Sequence, residues 1–296
     1  MGAKQDGSLH MDYRSPGSVR EAVDLLAAHG GAAQVLAGGT DLLVKLRAGF
    51  VAPELVVDVK AIPQLRGITE DTRGFRIGAA TSCAEIGEHA ALASAWPGVV
   101  EALQLIGSTQ IQGRATLGGN LCNASPAADS VPAMIAAGVT CEVAGPAGER
   151  EVPVEGIVTG PGRTSLAPGE LIVAFRVPKR RARSADAYLR LIPRTEMDIA
   201  VVGAGVAIAL DEQGVCTEAR VALGAVAPTP LLVANGAKAL IGTRVDDVAL
   251  TALAAAASAA CRPIDDKRGT VAYRVKVAGV LARRAAHVAL ERAQAR

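Results

Sequence analysis

Two glycine-centred runs hold the residues whose types and spacing could do chemistry. In the first, Val35-Leu36-Ala37-Gly38-Gly39-Thr40-Asp41, an apolar stretch leads into two glycines, a hydroxyl and a carboxylate. A strand that turns through glycines into a helix leaves unpaired amides at the helix N-terminus, and the helix dipole favours an anion there. Absent side chains at Gly38 and Gly39 let that backbone approach a phosphate. Alone, the run also fits an ordinary turn, and it is neither a Walker loop nor a G-x-G-x-x-G fingerprint. The second run is Ala115-Thr116-Leu117-Gly118-Gly119-Asn120, followed by Asn123-Ala-Ser-Pro-Ala-Ala-Asp129. It adds a second glycine pair, the Thr116 hydroxyl and the Asn120 amide. Two anion cradles far apart in sequence suit a pyrophosphate, one pair per phosphate, and so a dinucleotide. Asp129, placed one turn into the next helix, could accept from ribose hydroxyls or simply complement the helix dipole.

Several elements must position these runs. Ser18-Val-Arg-Glu21 reads as a capping box that opens a helix to about His29. A strand over Gln34–Ala37 leads into the first run, and a short helix from Leu42 to about Ala48 leads out of it. Strands follow at Leu55–Val59 and Phe75–Ala79, then helices at Ala84–Ala90 and Gly98–Ile106. Residues 107–125 read as a long polar, glycine-rich loop, and loops of that length in compact domains are usually functional. Ser125-Pro126 reads as the start of a helix to about Ala137. A hairpin is expected around Gly145-Pro-Ala-Gly148, and a strand over Leu171–Val177. Pro178–Ser184 is the best boundary in the chain. Beyond it come strands at Ile199–Leu210 and Glu218–Val226, then helices at Val245–Ala260 and Thr270–Ala293. The fold class is α+β. Gly203-Ala-Gly205 lacks the third glycine of a dinucleotide fingerprint and leads to a turn, so close strand packing is the better reading.

Composition narrows the function classes. The chain has 296 residues, and 31 basic against 29 acidic side chains leave a net charge of +2, which is no nucleic-acid signature. The basic run Lys179, Arg180, Arg181, Arg183 reads as a solvated linker, with a docking surface for an acidic partner as the alternative. No segment is apolar enough to span a membrane and the first fifteen residues carry no signal-peptide core, so the expected location is the cytoplasm. Residues 1–10 read as an extension. Five scattered cysteines without a C-x-x-C pair argue against an iron–sulfur or zinc site in this chain. The four histidines offer no metal cluster.

Together, Ala37-Gly-Gly-Thr-Asp41, Thr116-Leu-Gly-Gly-Asn120 and Asn123-Ala-Ser-Pro-Ala-Ala-Asp129 resemble the FAD-binding medium (M) subunit of the xanthine dehydrogenase and carbon monoxide dehydrogenase family of molybdenum hydroxylases. The likeness covers nearly the whole chain, from Tyr13-Arg-Ser-Pro-Gly-Ser-Val-Arg-Glu-Ala22 through Thr159-Gly-Pro-Gly-Arg-Thr164 and Arg194-Thr-Glu-Met-Asp-Ile-Ala200 to Arg268-Gly-Thr-Val-Ala-Tyr-Arg274. The resemblance implies a PCMH-type FAD-binding domain of two subdomains over residues 11–180. It also implies a small α+β C-terminal domain of the carbon monoxide dehydrogenase flavoprotein type over residues 185–296. It implies that Val35 to Asp41 and Thr116 to Asn120 hold the pyrophosphate and ribityl chain, and that Asp129 binds ribose. Ile106 would lie against the flavin, and Leu171 or Ile172 would pack on the isoalloxazine. Arg190 aligns where some relatives place a lysine near the flavin, which keeps the charge but not its titratability; an ordinary surface arginine is the alternative.

With no histidine near the motifs, FAD would be held noncovalently. The implied partners are a large molybdopterin subunit carrying the molybdenum cofactor and a small subunit carrying two [2Fe–2S] clusters, in a dimer of heterotrimers. The implied role is an electron-transfer subunit that passes electrons from the clusters through FAD to NAD, oxygen, a quinone or another acceptor, with no catalytic side chain of its own. Two rivals remain, a self-sufficient flavin oxidase or dehydrogenase and a non-catalytic nucleotide-binding module.

Overall fold

The computed structural model describes residues 11–296, so the extension expected over residues 1–10 lies outside the described residues. Three small sheets organise the chain. The first is parallel, in the order β1-β3-β2, with β1 at Asp12–Arg14, β2 at Ala33–Leu36 and β3 at Leu55–Asp58. Helix α1 (Val19–His29) covers it. Ser18 Oγ accepts from the Glu21 amide at 3.2 Å, and Glu21 Oε2 accepts from the Gly17 amide at 3.0 Å, so the first turn is capped from both sides. Ala22, Val23 and Leu26 are the buried face of this helix. Helix α2 (Leu42–Arg47) follows β2.

The second sheet is antiparallel. Its order is β4-β5-β10-β6-β7, from β4 (Ile68–Asp71), β5 (Gly74–Gly78), β6 (Thr140–Gly145), β7 (Gly148–Pro153) and β10 (Leu171–Pro178). Six helices come between β5 and β6: α3 (Cys83–Gly87), α4 (Ala90–Ala95), α5 (Pro97–Gln104), α6 (Thr109–Gln112), α7 (Leu117–Cys122) and α8 (Ser130–Ala136). They share one core with the sheet, in which Ile77, Leu103, Leu117, Met134 and Phe175 are wholly buried. A small ribbon of β8 (Val158–Gly160) and β9 (Arg163–Thr164) precedes β10.

The third sheet runs β11-β12-β13-β14, from β11 (Ser184–Leu191), β12 (Val202–Leu210), β13 (Cys216–Gly224) and β14 (Leu231–Leu232). Helices α9 (Ala234–Leu240), α10 (Asp247–Ala260) and α11 (Val271–Gln294) complete this layer. Ala278, Ala282, Ala285, Ala286, Ala289 and Ala293 are buried at helical spacing along α11. With such small side chains the helix lies close against β11 and β12. The sheet in turn packs on α8, where a Cβ on Gly205 would fall 2.7 Å from the Pro132 carbonyl oxygen. That is the close strand packing expected of Gly203-Ala-Gly205.

Three sequence expectations need correcting. Residues 107–125 are not one loop, because both α6 and α7 lie inside them. The helix expected from Ser125 begins only at Ser130, since Ala124 is in the left-handed region (φ 51°) and Ser125 Oγ accepts from the Ala127 amide in a turn. Asp129 therefore stands just before α8 rather than one turn into it. The basic run is not uniformly solvated either. The Arg180 guanidinium stacks 3.5 Å from the Trp96 ring centre and donates to the Ala95 carbonyl and the Asp186 carboxylate.

Asp186 is 2% exposed and also accepts from the Val99 amide at 3.2 Å, in the first turn of α5. Burial pushes its carboxyl up to about 6, against the guanidinium beside it. From α11, Arg292 reaches the Asp186 carbonyl at 2.9 Å and pairs with Glu101. A buried charged seam thus fastens the first two layers to the third.

Candidate functional site

The first two layers enclose a cavity of about 600 Å³, within the range usual for ligand pockets. Val35, Ala37, Gly38, Gly39, Thr40 and Asp41 line one side of it, and Thr116, Gly118, Gly119 and Asn120 another. Ile106, Leu171 and Ile172 complete the apolar lining named from the sequence. The two glycine runs therefore face one space. The reason is steric: a Cβ on Gly38 would lie 2.0 Å from the Arg114 carbonyl oxygen and 3.1 Å from Ala115 Cα. Only glycine lets the first run rest on the backbone that leads into the second.

The two runs do different work. In the first, the amides of Gly38, Gly39, Thr40 and Asp41 donate to no protein acceptor among the described residues. Gly39 is in the left-handed region (φ 81°), which suits successive amides that curl around an anion. In the second run the Gly118 amide donates to Ala79 O at 3.0 Å, and the Gly119 amide donates to Thr116 Oγ at 3.0 Å as the cap of α7. A Cβ on Gly118 would meet Ala79 O at 2.7 Å. This glycine pair seats α7 against the end of β5 and does not form a second open backbone cradle. That corrects the expectation of one glycine pair per phosphate. What the second run turns toward the cavity are polar side chains, with Asn120 Oδ1 fixed by the Ser130 hydroxyl at 2.7 Å.

A polar chain at the mouth escaped sequence reasoning. Lys45 Nζ donates to Asn123 Oδ1 at 2.6 Å, and Asn123 Nδ2 donates to Asp41 Oδ1 at 3.1 Å. It ties α2 to the end of α7, and both Lys45 and Asn123 line the cavity. Burial raises the Asp41 carboxyl, and Lys45 pulls it back. The i, i+4 spacing of Asp41 and Lys45 was the available signal. Gly162, Thr164 and Leu166, from β9 and its flanks, close another part of the wall.

Four residues named from the sequence do not line the cavity. Leu36 and Leu117 point into the core. Asp129 is buried behind the wall, where Tyr188 Oη donates to one carboxylate oxygen at 3.0 Å and Arg190 Nη1 to the other at 2.8 Å. Arg190 is not a surface residue, since its side chain is 5% exposed. The same nitrogen donates to Leu105 O at 2.8 Å, beside the cavity-lining Ile106. Asp129 and Arg190 thus brace the wall through Ile106, with Arg190 and Tyr188 reaching across from β11.

Burial pushes the Asp129 carboxyl up to about 6, against the pull of Arg190 and Tyr188. An unfolded aspartate titrates near ~3.9. Between those values the folded chain holds the additional proton. This group therefore favours the folded state most below about pH 4, and the contribution is lost as pH rises through about pH 6. Asp129→Asn should remove that dependence, seen as a changed slope of unfolding free energy between about pH 4 and about pH 6.5 in urea titrations. An unchanged slope would exclude the shift.

The family described as FAD binding domain in molybdopterin dehydrogenase matches residues 9–180. That described as CO dehydrogenase flavoprotein C-terminal domain matches residues 187–289. The chain is 37% identical over 285 residues to the carbon monoxide dehydrogenase medium chain of Afipia carboxidovorans, covering 96% of this chain and 97% of that one. It is 35% identical over 221 residues to the xanthine dehydrogenase FAD-binding subunit of Escherichia coli O157:H7, covering 74% and 75%. A solved carbon monoxide dehydrogenase from Hydrogenophaga pseudoflava superimposes with a TM-score of 0.92 at 35% identity, over 96% of this chain and 98% of that one. No helix among the described residues is long and apolar enough to cross a membrane. Matched along nearly its whole length, the chain belongs to the FAD-binding medium subunits of the carbon monoxide and xanthine dehydrogenase family, the flavoprotein components of molybdenum hydroxylases.

Proposed function

We propose that this subunit is the exit of an electron relay, and that the open amides of Gly38 to Asp41 are where its FAD is anchored. The carrying observation is that those four amides have no protein acceptor among the described residues and belong to residues lining a space which the second glycine run also borders. Backbone donors of this kind hold a pyrophosphate without a side-chain cation. Thr116 and Asn120 offer a hydroxyl and an amide to the ribityl chain. Ile106, Leu171 and Ile172 offer apolar side chains for the ring system to pack on. Asp129 and Arg190 keep the Ile106 wall in place. FAD supplies the redox chemistry when bound, and the protein orients it and limits access to it.

In this reading the complex contains a large molybdopterin subunit with the molybdenum cofactor and a small subunit with two [2Fe–2S] clusters. The assembly is a dimer of heterotrimers. Electrons from the organic substrate reach the clusters, then this subunit, then an external acceptor. The reading is supported by end-to-end similarity to medium chains of such dehydrogenases.

Rapid mixing tests it. In the assembled complex, substrate should bleach the flavin absorbance after the iron–sulfur absorbance begins to fall. The isolated subunit should hold about one noncovalent FAD and show no bleaching by the same substrate. Bleaching of the isolated subunit would instead favour a self-sufficient dehydrogenase, and a chain that takes up no FAD would overturn the proposal.

A further inference from the structure

The outer face of α10 and α11 carries a second concavity, of about 720 Å³, that shares no residue with the cofactor cavity. The two helices run antiparallel, with Arg283 paired to Asp247 at 2.8 Å at one end and Ser258 Oγ donating to Val275 O at 2.9 Å at the other. A Cβ on Gly279 would lie 2.7 Å from both Ala254 O and Ser258 Oγ, so the helix backbones nearly touch and the floor is shallow and apolar.

Along one wall Lys276, Val280, Arg284 and His287 recur at helical spacing on α11. Asp247 to Ser258 on the other wall spans twelve residues, or about 16 Å along the axis, the length of three helical turns. Val280, 39% exposed, stands in the middle of the groove.

Charge decides the occupant. Four basic side chains line the groove against one carboxylate, Asp247, which Arg283 already answers. His287 lies 3.5 Å from Glu291, but Lys276 and Arg284 have no carboxylate within ion-pair distance among the described residues. A second copy docking by a two-fold axis would set cation against cation. The chain's own first ten residues carry Lys4 and His10 against only Asp6 and offer no acidic face. An amphipathic helix with small apolar residues on one side and carboxylates flanking them satisfies both floor and rim.

We propose that this groove seats an acidic helical segment of a partner subunit in the dehydrogenase complex. The proposal rests on the reading above that the chain works inside a multi-subunit assembly.

Zero-length carbodiimide cross-linking of the assembled complex tests it. Lys276 should be joined to an aspartate or glutamate of a partner subunit. The double variant Lys276→Glu, Arg284→Glu should weaken assembly at least tenfold, and added salt should weaken assembly of the unmodified chain in the same direction. Its flavin content should stay the same, which shows that the chain still folds. A Lys276 cross-link only to a second copy of this chain, no cross-link at all, or undiminished assembly of the double variant would overturn the groove assignment. Those outcomes leave flavin content and substrate-driven bleaching intact, whereas failure of the relay reading removes one or both in the unmodified complex.

Discussion

Gly38→Ala should give a chain that folds but is purified without its flavin. The added Cβ would stand 2.0 Å from the Arg114 carbonyl oxygen and 2.8 Å from the carbonyl carbon. Both are backbone atoms, so no side chain can swing aside to relieve the overlap. The segment leading into α7 must retreat, taking with it the capped turn at Thr116 and the Asn120 amide. The four open amides would then face a widened gap. We expect FAD affinity to fall by at least about 100-fold, or roughly 2.7 kcal/mol. The ratio of flavin to protein absorbance after gel filtration, followed by titration with added FAD, measures it. Gly113→Ala is the control, because a Cβ there meets nothing closer than 3.7 Å. Equal flavin content in the Gly38 and Gly113 variants would show that contact between the runs does not hold the cofactor.

The largest expected effect on stability is that of Asp186→Ala. The substitution leaves the Arg180 guanidinium buried against Trp96 without its counter-charge, and it strips the Val99 amide of its acceptor. Removing one partner of a buried pair costs about 3–5 kcal/mol. Urea unfolding should show this loss, with the seam between the layers opening first. Replacing both partners, Arg180→Met with Asp186→Leu, should recover most of it, since no charge is then stranded. A single variant within about 1 kcal/mol of the parent would mean that water already reaches the pair.

How much could be read in advance follows from what each residue touches. Local signals were plain. Ser18 and Glu21 announce α1, and Gly145-Pro-Ala-Gly148 announces the β6–β7 hairpin. The facing of the two glycine runs was legible as chemistry, because few ligands call for two such motifs. The division of labour was not, because whether an amide at Gly118 is free depends on Ala79, nearly forty residues earlier. Helix α7 was hidden by its glycines and polar residues, whose low helical propensity is overridden by the Thr116 cap and by burial of Leu117 and Leu121. Strand β11 was missed although Ser184 to Leu191 alternates polar and apolar, because it follows directly on the basic run read as a linker, and its polar Ser184 and Asp186 are buried as well. Asp129 looked like a ligand for a sugar. Only the distant Tyr188 and Arg190 reveal it as a brace.

That brace bears on the timing of synthesis. The ribosome makes Gly38 long before Arg114, and Arg190 later still. Until β11 has emerged and folded back, Asp129 has neither of its donors and the wall at Ile106 lacks its support. On the proposed reading, in which the flavin sits against the Ile106 wall, loading of the cofactor waits until most of the polypeptide has been released. The same reading predicts that a nascent chain stalled after the first family segment leaves the ribosome exit tunnel unable to retain flavin.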